Sequence, residues 1–376
     1  MKSQNTKHRT QTNYKSQITN IQKILPGVKK NVLLKNYTTF RIGGPVKYFY
    51  TAKNKSDLIK AVKAAKELNL PFFILGGGSN LLVADEDYKG IVIKSQITNY
   101  KTQTNYKKQN TKVYIGAGMP LSLLVSKTVE KGLTALEWAV GIPGITIGGA
   151  IRGNAGAFGQ SMKDITKTVT VLKIPNQSTQ ISLSARPNTK PKVLCSGPKF
   201  QTKIFRNKDC KFKYRDSIFK HDKNLIILSA EIELRKGDKK EIKKRMIENL
   251  KWREDNQPLD FPSAGSIFQN PKEHPAGWLI EKCGLKGKRI GKAQISKKHA
   301  NFIVNLGDAK SQDVIKLIDL TKRKVKEKFG IKLNEEIVIL SVSEKQQPST
   351  QLIKLSARSS LRSDLSTLTN FFKMKK

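Results

Sequence analysis

Two glycine runs dominate the residues of this 376-residue chain that could do chemistry. Gly76-Gly77-Gly78-Ser79-Asn80 follows the apolar run Phe72–Leu75 and precedes Leu81-Leu82-Val83, so it turns the chain without opening a helix. It therefore fits neither GxGxxG nor GxxxxGK[ST], which both place a helix N-terminus behind the turn. What it offers is bare backbone. Consecutive glycines let N–H groups turn toward an anion, and Ser79 and Asn80 add side-chain donors, an arrangement suited to a pyrophosphate. The second run, Gly141–Gly159, holds seven glycines in nineteen residues, among them Gly141, Gly144, Gly148, Gly149 and Gly156, with Pro143, Asn154 and Ala155 between them. Almost free of charge, it lets backbone approach a flat ligand. Either run alone reads equally as a structural turn, but two in one chain favour a cofactor.

The charged and nucleophilic residues say less in isolation. Arg215 beside Asp216 reads as a salt bridge, Ser266 as a turn residue, Glu336 as a strand-edge carboxylate with Glu335 as its neighbouring alternative, and His299 as a surface histidine. The 3 Cys and 4 His are too scattered for a disulfide framework, a zinc site or a redox CxxC, so no metal is expected.

These residues need elements to hold them. Asp57–Leu68 places Leu58, Ile59, Val62, Ala65 and Leu68 on one helical stripe, with Asp57 as its cap. Strands are expected at Phe72–Leu75, Leu81–Val83, Val113–Gly118, Leu225–Leu228, Ala230–Leu234 and Glu336–Leu340, and helices at Leu121–Lys131, Lys240–Asn249 and Gln312–Phe329. The order is α+β in at least two units.

Charge is unevenly spread. Of 71 Lys+Arg and 29 Asp+Glu, residues 1–30, 94–112, 174–208 and 344–376 together hold 26 basic and 2 acidic residues, more than half the net excess of +42. These segments also repeat one another: Ser16–Asn20 recurs as Ser95–Asn99, Thr10–Lys15 as Thr102–Lys107, and Leu183–Arg186 as Leu355–Arg358. Rich in Gln, Asn, Thr, Ser and Lys and without amphipathic period, they read as tails (1–30, 344–376) and loop insertions (94–112, 174–208) that do not pack. The alternative is a basic arm for RNA or a membrane surface, with Tyr14, Tyr100 and Tyr106 interleaved. No run of about 18 apolar residues spans a bilayer and the N-terminus lacks the apolar stretch of a secretory signal, so a cytoplasmic protein is expected.

Six motifs in order carry a family resemblance: Asn36–Gly44 (NYTTFRIGG), Ile74–Leu82 (ILGGGSNLL), Gly141–Gly159, Lys213–Phe219 (KYRDSIF), Ser263–Pro271 (SAGSIFQNP) and Leu333–Ile337 (LNEEI). From about residue 31 to 343 the chain resembles the UDP-N-acetylenolpyruvoylglucosamine reductases of peptidoglycan precursor synthesis. The short spacing between Phe268 and Ala276–Glu281 resembles the shorter class, which lacks an inserted tyrosine loop.

The resemblance implies an FAD-binding domain of the vanillyl-alcohol-oxidase (PCMH) type over 31–235, interrupted by the two insertions, and a smaller α+β substrate-binding domain over 236–343. Both glycine runs would then hold FAD, with Gly76–Asn80 at the diphosphate. NADPH would reduce the FAD, and UDP-N-acetylglucosamine enolpyruvate would be the substrate of a monomer without metal. By motif position Arg215 polarises the substrate carboxylate, Ser266 protonates the carbanion, Glu336 completes the enolate-stabilising pair, and Tyr214, Asn270 and His299 contact substrate. Lys286, Lys288, Arg289 and Lys292 read as a diphosphate-attracting patch or as a solvated loop. Arg152 and Gly153 depart from the family, which more often has a larger residue before Asn154. Two other readings are weighed: a different FAD oxidoreductase of the superfamily, and a basic nucleic-acid-binding protein on a relic flavin fold, which the motifs disfavour.

Overall fold

The computed structural model describes residues 21–107, 109–175 and 200–341, and those up to Leu340 belong to one compact unit. It is mixed α and β, as the motif order implies. A four-stranded sheet runs in the order Lys29–Leu33, Pro45–Ala52, Tyr88–Ser95, Phe72–Leu75, antiparallel in its first pair and parallel in the others. The helix Lys55–Glu67 covers it, burying Leu58, Ala61, Val62 and Ala65 at the i, i+3, i+4, i+7 spacing of one face. Two fully buried branched side chains there, Leu58 and Val62, contribute roughly 1.5–3 kcal/mol each. The cap is Asn54 rather than Asp57: Asn54 Oδ1 accepts from the Asp57 N–H at 2.9 Å, while Asp57 Oδ2 accepts from the Lys53 N–H at 3.1 Å. The amide thus satisfies a donor that the helix start leaves open, and the carboxylate one just ahead of the cap.

The second sheet is antiparallel, in the order Gln201–Arg206, Thr166–Lys173, Leu225–Lys236, Asn110–Gly116, Tyr100–Asn105, with Leu133–Thr134 on the far end of the long strand. Leu225–Lys236 is one strand where two were expected, because Ser229 stays in register opposite Gly116 and Thr170. Residues 94–112 are not a loop insertion. Lys94 and Ser95 finish a strand of the first sheet, Ile97 is buried, and Tyr100–Asn105 pairs with Asn110–Gly116. Tyr and Thr alternate at 100, 102 and 104 against Ile115, Val113 and Thr111, so one face of a polar edge strand still packs. Of 174–208, Gln201–Arg206 is likewise an edge strand, and 176–199 lies outside the described residues. Nor does a tail run to residue 30: Ile21 and Leu25 are buried and Lys29 opens the first strand, while 1–20 and 342–376 lie outside the described residues.

The helix Lys239–Asn256 extends well past Asn249, because a polar row, Arg245, Asn249 and Arg253, anchors it on the second sheet's flank. Arg245 Nη2 meets Glu137 Oε1 at 2.8 Å, Asn249 Nδ2 donates to Glu137 O at 3.1 Å, and Arg253 Nη2 to Trp138 O at 2.9 Å. The layer expected to end at 235 therefore continues to this helix.

A third sheet, Ser263–Ser266, Phe302–Asn305, Ala293–Ile295, Arg289–Ile290, packs with the helices Ala276–Lys282 and Ser311–Phe329 around one apolar core that also takes in Phe40, Ile42 and Leu82. The chain then returns: Val338–Leu340 pairs in parallel with Leu81–Val83. This return sets Glu336 beside the glycine turn.

Candidate active site

The turn between Phe72–Leu75 and Leu81–Val83 is built from glycine because nothing larger fits. A Cβ on Gly77 would lie 1.4 Å from Gly144 O, and one on Gly78, where φ is +69°, 2.2 Å from Tyr37 O. The two glycine runs therefore touch backbone to backbone. The N–H groups of Gly77, Gly78 and Ser79 find no acceptor among the described residues, and Thr146 Oγ1, beside Gly76, is buried without a hydrogen-bond partner. Orphaned donors lining a cavity fit the phosphates of a dinucleotide. That cavity has a volume of about 720 Å³ and runs from the turn to the third sheet.

Arg215 enters it from a tight loop in which Lys213 and Asp216 bond each other's backbone. Its φ is +52°, a left-handed conformation that costs an arginine energy and must be held by its surroundings. Two contacts hold it: Lys220 Nζ donates to Arg215 O at 2.6 Å, and Asn154 Nδ2 donates to Lys213 O at 2.9 Å. Arg215 Nε lies 3.1 Å from Glu336 Oε1. The pair is an ion pair at an angle too oblique for a hydrogen bond, which leaves Nε without a hydrogen-bond partner. Glu336 is fixed from both sides, since its N–H donates to Ile267 O at 2.8 Å and its O accepts from Asn80 Nδ2 at 3.0 Å. Glu335 points elsewhere, pairing with Lys322 at 2.7 Å. Ser266 closes the strand Ser263–Ser266 after a bulge at Gly265, where φ is +75°, and lines the same cavity.

Electrostatically the cavity is cationic. Arg152, Arg215, Lys220 and Arg253 face one carboxylate, Glu336. Burial pushes the Glu336 carboxyl up against the opposing pull of Arg215 and Lys220, and pushes Arg152, Lys220, Arg253 and His299 down. His299 Nδ1 accepts from the Asn301 N–H at 3.2 Å, so at neutral pH it is a neutral imidazole.

Arg215, Ser266, Glu336 and His299 all line the cavity, as do Gly76, Gly77, Gly78, Ser79, Asn80, Pro143, Gly149, Ala155 and Gly156. The others stand behind it. Gly141 packs on Leu250 and Arg253, Gly144 supports Gly77, and Gly148 approaches Ala117. Asn154, buried with φ +42°, also accepts from the Lys163 N–H at 2.9 Å and is a brace for the Arg215 loop. Tyr214 is 56% exposed, its ring 5.6 Å from the Arg215 guanidinium. Asn270 Oδ1 accepts from the Ala276 N–H at 3.0 Å and so caps a helix. In the basic loop, Lys286 pairs with Glu281 and Arg289 bonds Gly291 O, which favours a solvated loop. Among the described residues, neither 94–112 nor 200–208 contributes to the cavity wall. Sequence reasoning missed Thr39, Lys220 and Arg253 as wall residues. Thr39 Oγ1 donates to Ser263 O at 2.8 Å, joining the first motif to the fifth. Thr39 had a signal in lying inside the first motif, and Arg253 in being the third member of the i, i+4, i+8 polar row.

A family profile described as an FAD binding domain matches residues 46–179, and one described as the C-terminal domain of UDP-N-acetylenolpyruvoylglucosamine reductase matches residues 257–340. With the cavity and its orphaned donors, these matches define an FAD-dependent oxidoreductase built on an FAD-binding domain. A UDP-N-acetylenolpyruvoylglucosamine reductase of Caldanaerobacter subterraneus is 40% identical over 310 residues, 82% of this chain and 92% of its own. One from Thermotoga maritima is 41% identical over 304 residues, 81% of this chain and 95% of its own. The crystal structure of the UDP-N-acetylenolpyruvylglucosamine reductase from Thermus caldophilus, 32% identical, superposes with a TM-score of 0.65 over 84% of this chain and 99% of that one. The chain belongs to the UDP-N-acetylenolpyruvoylglucosamine reductase family, FAD-dependent enzymes of peptidoglycan synthesis.

Proposed function

We propose that the protein reduces UDP-N-acetylglucosamine enolpyruvate to UDP-N-acetylmuramate at the expense of NADPH, as a cytoplasmic monomer without metal. The supporting observation is convergence: Arg215, Ser266 and Glu336 come from three distant segments and line one cavity with the glycine turn. FAD, which Gly76–Asn80 would hold, would supply the hydride chemistry between NADPH and the vinyl carbon of the substrate.

As the CH₂ carbon gains hydride, the electron pair of the double bond moves to the carbon bearing the carboxylate. Arg215, planar and always charged, binds that carboxylate and steadies the enolate. Glu336 aims Arg215, and Tyr214 backs its guanidinium. Ser266 Oγ–H then gives its proton to the carbanion, forming the new C–H bond, and the serine oxygen regains a proton from solvent. Serine is a weak acid, but the acceptor is strongly basic and the cationic wall stabilises the serine oxygen while it is deprotonated. His299, neutral, serves as a polar wall beside Phe302.

The test is an absorbance assay on purified protein with its flavin spectrum, following NADPH loss with and without the enolpyruvyl substrate, in wild type and Ser266→Ala. Oxidation that needs substrate, and that falls by about 10²–10⁴-fold in the variant while NADPH still bleaches the flavin, is the expected result. Flavin reduction with no substrate dependence in the wild type rejects the proposal in favour of another oxidoreductase.

A further inference from the structure

Glu336 neutralises Arg215, so a substrate carboxylate arriving at this pair meets little net charge. Attraction must come from a cation in the same wall that has no acid of its own. Arg152 feels the favourable field of Asp216, and Lys220 that of Glu336 and Asp216. Arg253 differs. It is 5% exposed, its Nε has no hydrogen-bond partner, and the charge that acts on it is the repulsive one of Arg215. Its guanidinium is held by Trp138 O at 2.9 Å and lies 5.4 Å from the Phe158 ring, contacts that position it without neutralising it. A buried guanidinium with no counter-ion among the described residues is unstable by itself and is satisfied only when an anion enters.

We propose that Arg253 is the second half of a two-arginine clamp, binding the substrate's enolpyruvyl carboxylate together with Arg215 and so selecting for a carboxylate-bearing substrate. This deepens the proposed function and rests on it. In the clamp, Arg215 carries the enolate charge as it develops, whereas Arg253 binds a charge that is present before and after the reaction. Removing Arg253 should therefore weaken binding of the ground state more than it slows the chemical step.

The experiment compares wild type, Arg253→Gln and Arg253→Lys by three measurements: flavin content, the anaerobic rate of flavin reduction by NADPH, and steady-state kinetics with the enolpyruvyl substrate. The expected result for Arg253→Gln is a KM for that substrate raised ten-fold or more, with kcat lowered less than KM is raised. Arg253→Lys should recover part of the loss, while flavin content and the NADPH half-reaction stay within two-fold of wild type in both variants. Recovery by Lys, which keeps the charge but not the fork, separates anion binding from packing on Trp138. An unchanged substrate KM in Arg253→Gln overturns the inference, and so does a loss that tracks flavin content or NADPH reduction, which would place the anion on a dinucleotide. Absence of substrate-dependent turnover in the wild type would instead remove the proposed function, and the clamp with it.

Discussion

Asn80 and Glu336, 256 positions apart, are joined by a hydrogen bond from Asn80 Nδ2 to Glu336 O at 3.0 Å. The bond crosses from the glycine turn to the returning end of the chain, where Val338 N–H also donates to Asn80 O. One residue thus links the segment that fits phosphates to the segment that carries the carboxylate. The position of Glu336 is set by the turn and not by the strand alone.

Replacing Asn80 by Ala removes that link. A single side-chain-to-backbone bond of this kind contributes about 1 kcal/mol, so the melting temperature should drop by only a few degrees. The catalytic effect should be larger, because Glu336 would no longer hold Arg215 at 3.1 Å. We expect kcat to fall by about ten-fold or more, measured against the flavin-loaded fraction so that cofactor loss is not counted as lost turnover. A variant with full kcat would show that the parallel strand suffices.

Gly77→Ala is a sharper test of the backbone contact between the glycine runs. Its Cβ would sit 1.4 Å from Gly144 O, a backbone atom that cannot swing away. Both runs must separate, at a cost of about 3 kcal/mol or more. The variant should purify with little flavin and melt well below wild type, whereas Gly159→Ala, where a Cβ meets nothing within 4 Å, should keep its flavin despite its unfavourable φ of +76°. Equal flavin content in the two variants would contradict the steric argument.

How much of this was legible beforehand follows from which forces leave a pattern in sequence. The helix Lys55–Glu67 was, because burial repeats at 3.6 residues. The strand Tyr100–Asn105 was not, because its partner contributes most of the apolar side chains and, Tyr100 apart, its own residues are Lys, Thr, Gln and Asn. Composition marked it as unpacked, yet edge strands are often polar, which also guards them against pairing with another chain. The glycine runs suggested an anion site but not that each needs the other's backbone. Motif order pointed to Arg215, Ser266 and Glu336, which the fold brings to one cavity, while Lys220 and Arg253 were passed over because a charged residue on a helix ordinarily faces water. Lys220 turns back on Arg215 O only five residues away, whereas Arg253 reaches Trp138 O 115 positions off, so its polar row marks a helix face but not the partner that buries it.

Cys210 offers a check on packing far from the cavity. Buried in the core of the second sheet and beside Asp209, its thiol is pushed up to about 12, mainly by burial. At pH 8 about one thiol in ten thousand would then be ionised, and alkylation requires the thiolate. Iodoacetamide treatment of the native protein followed by peptide mapping should leave Cys210 unmodified while the denatured protein is labelled there. Rapid native labelling would mean that the second sheet opens locally.

Glu336 predicts how activity responds to pH. Its carboxyl is raised above the ordinary 4.5 because burial outweighs the stabilising pull of Arg215 and Lys220. For stability the sign is unfavourable at high pH: the fold keeps a proton that the unfolded chain releases, so this group's contribution declines as pH climbs from 4.5 through the raised value. For catalysis the sign reverses, since only the ionised form aims Arg215. The kcat profile should therefore show an acidic limb above 4.5, rising as Glu336 ionises. Lys220→Met removes one of the two cations that favour ionisation, so it should displace that limb to still higher pH. Glu336→Gln should abolish the limb and lower kcat at its plateau. A limb that descends on the alkaline side instead, and that Lys220→Met also moves, would show Glu336 acting as a neutral hydrogen-bond donor to the enolate.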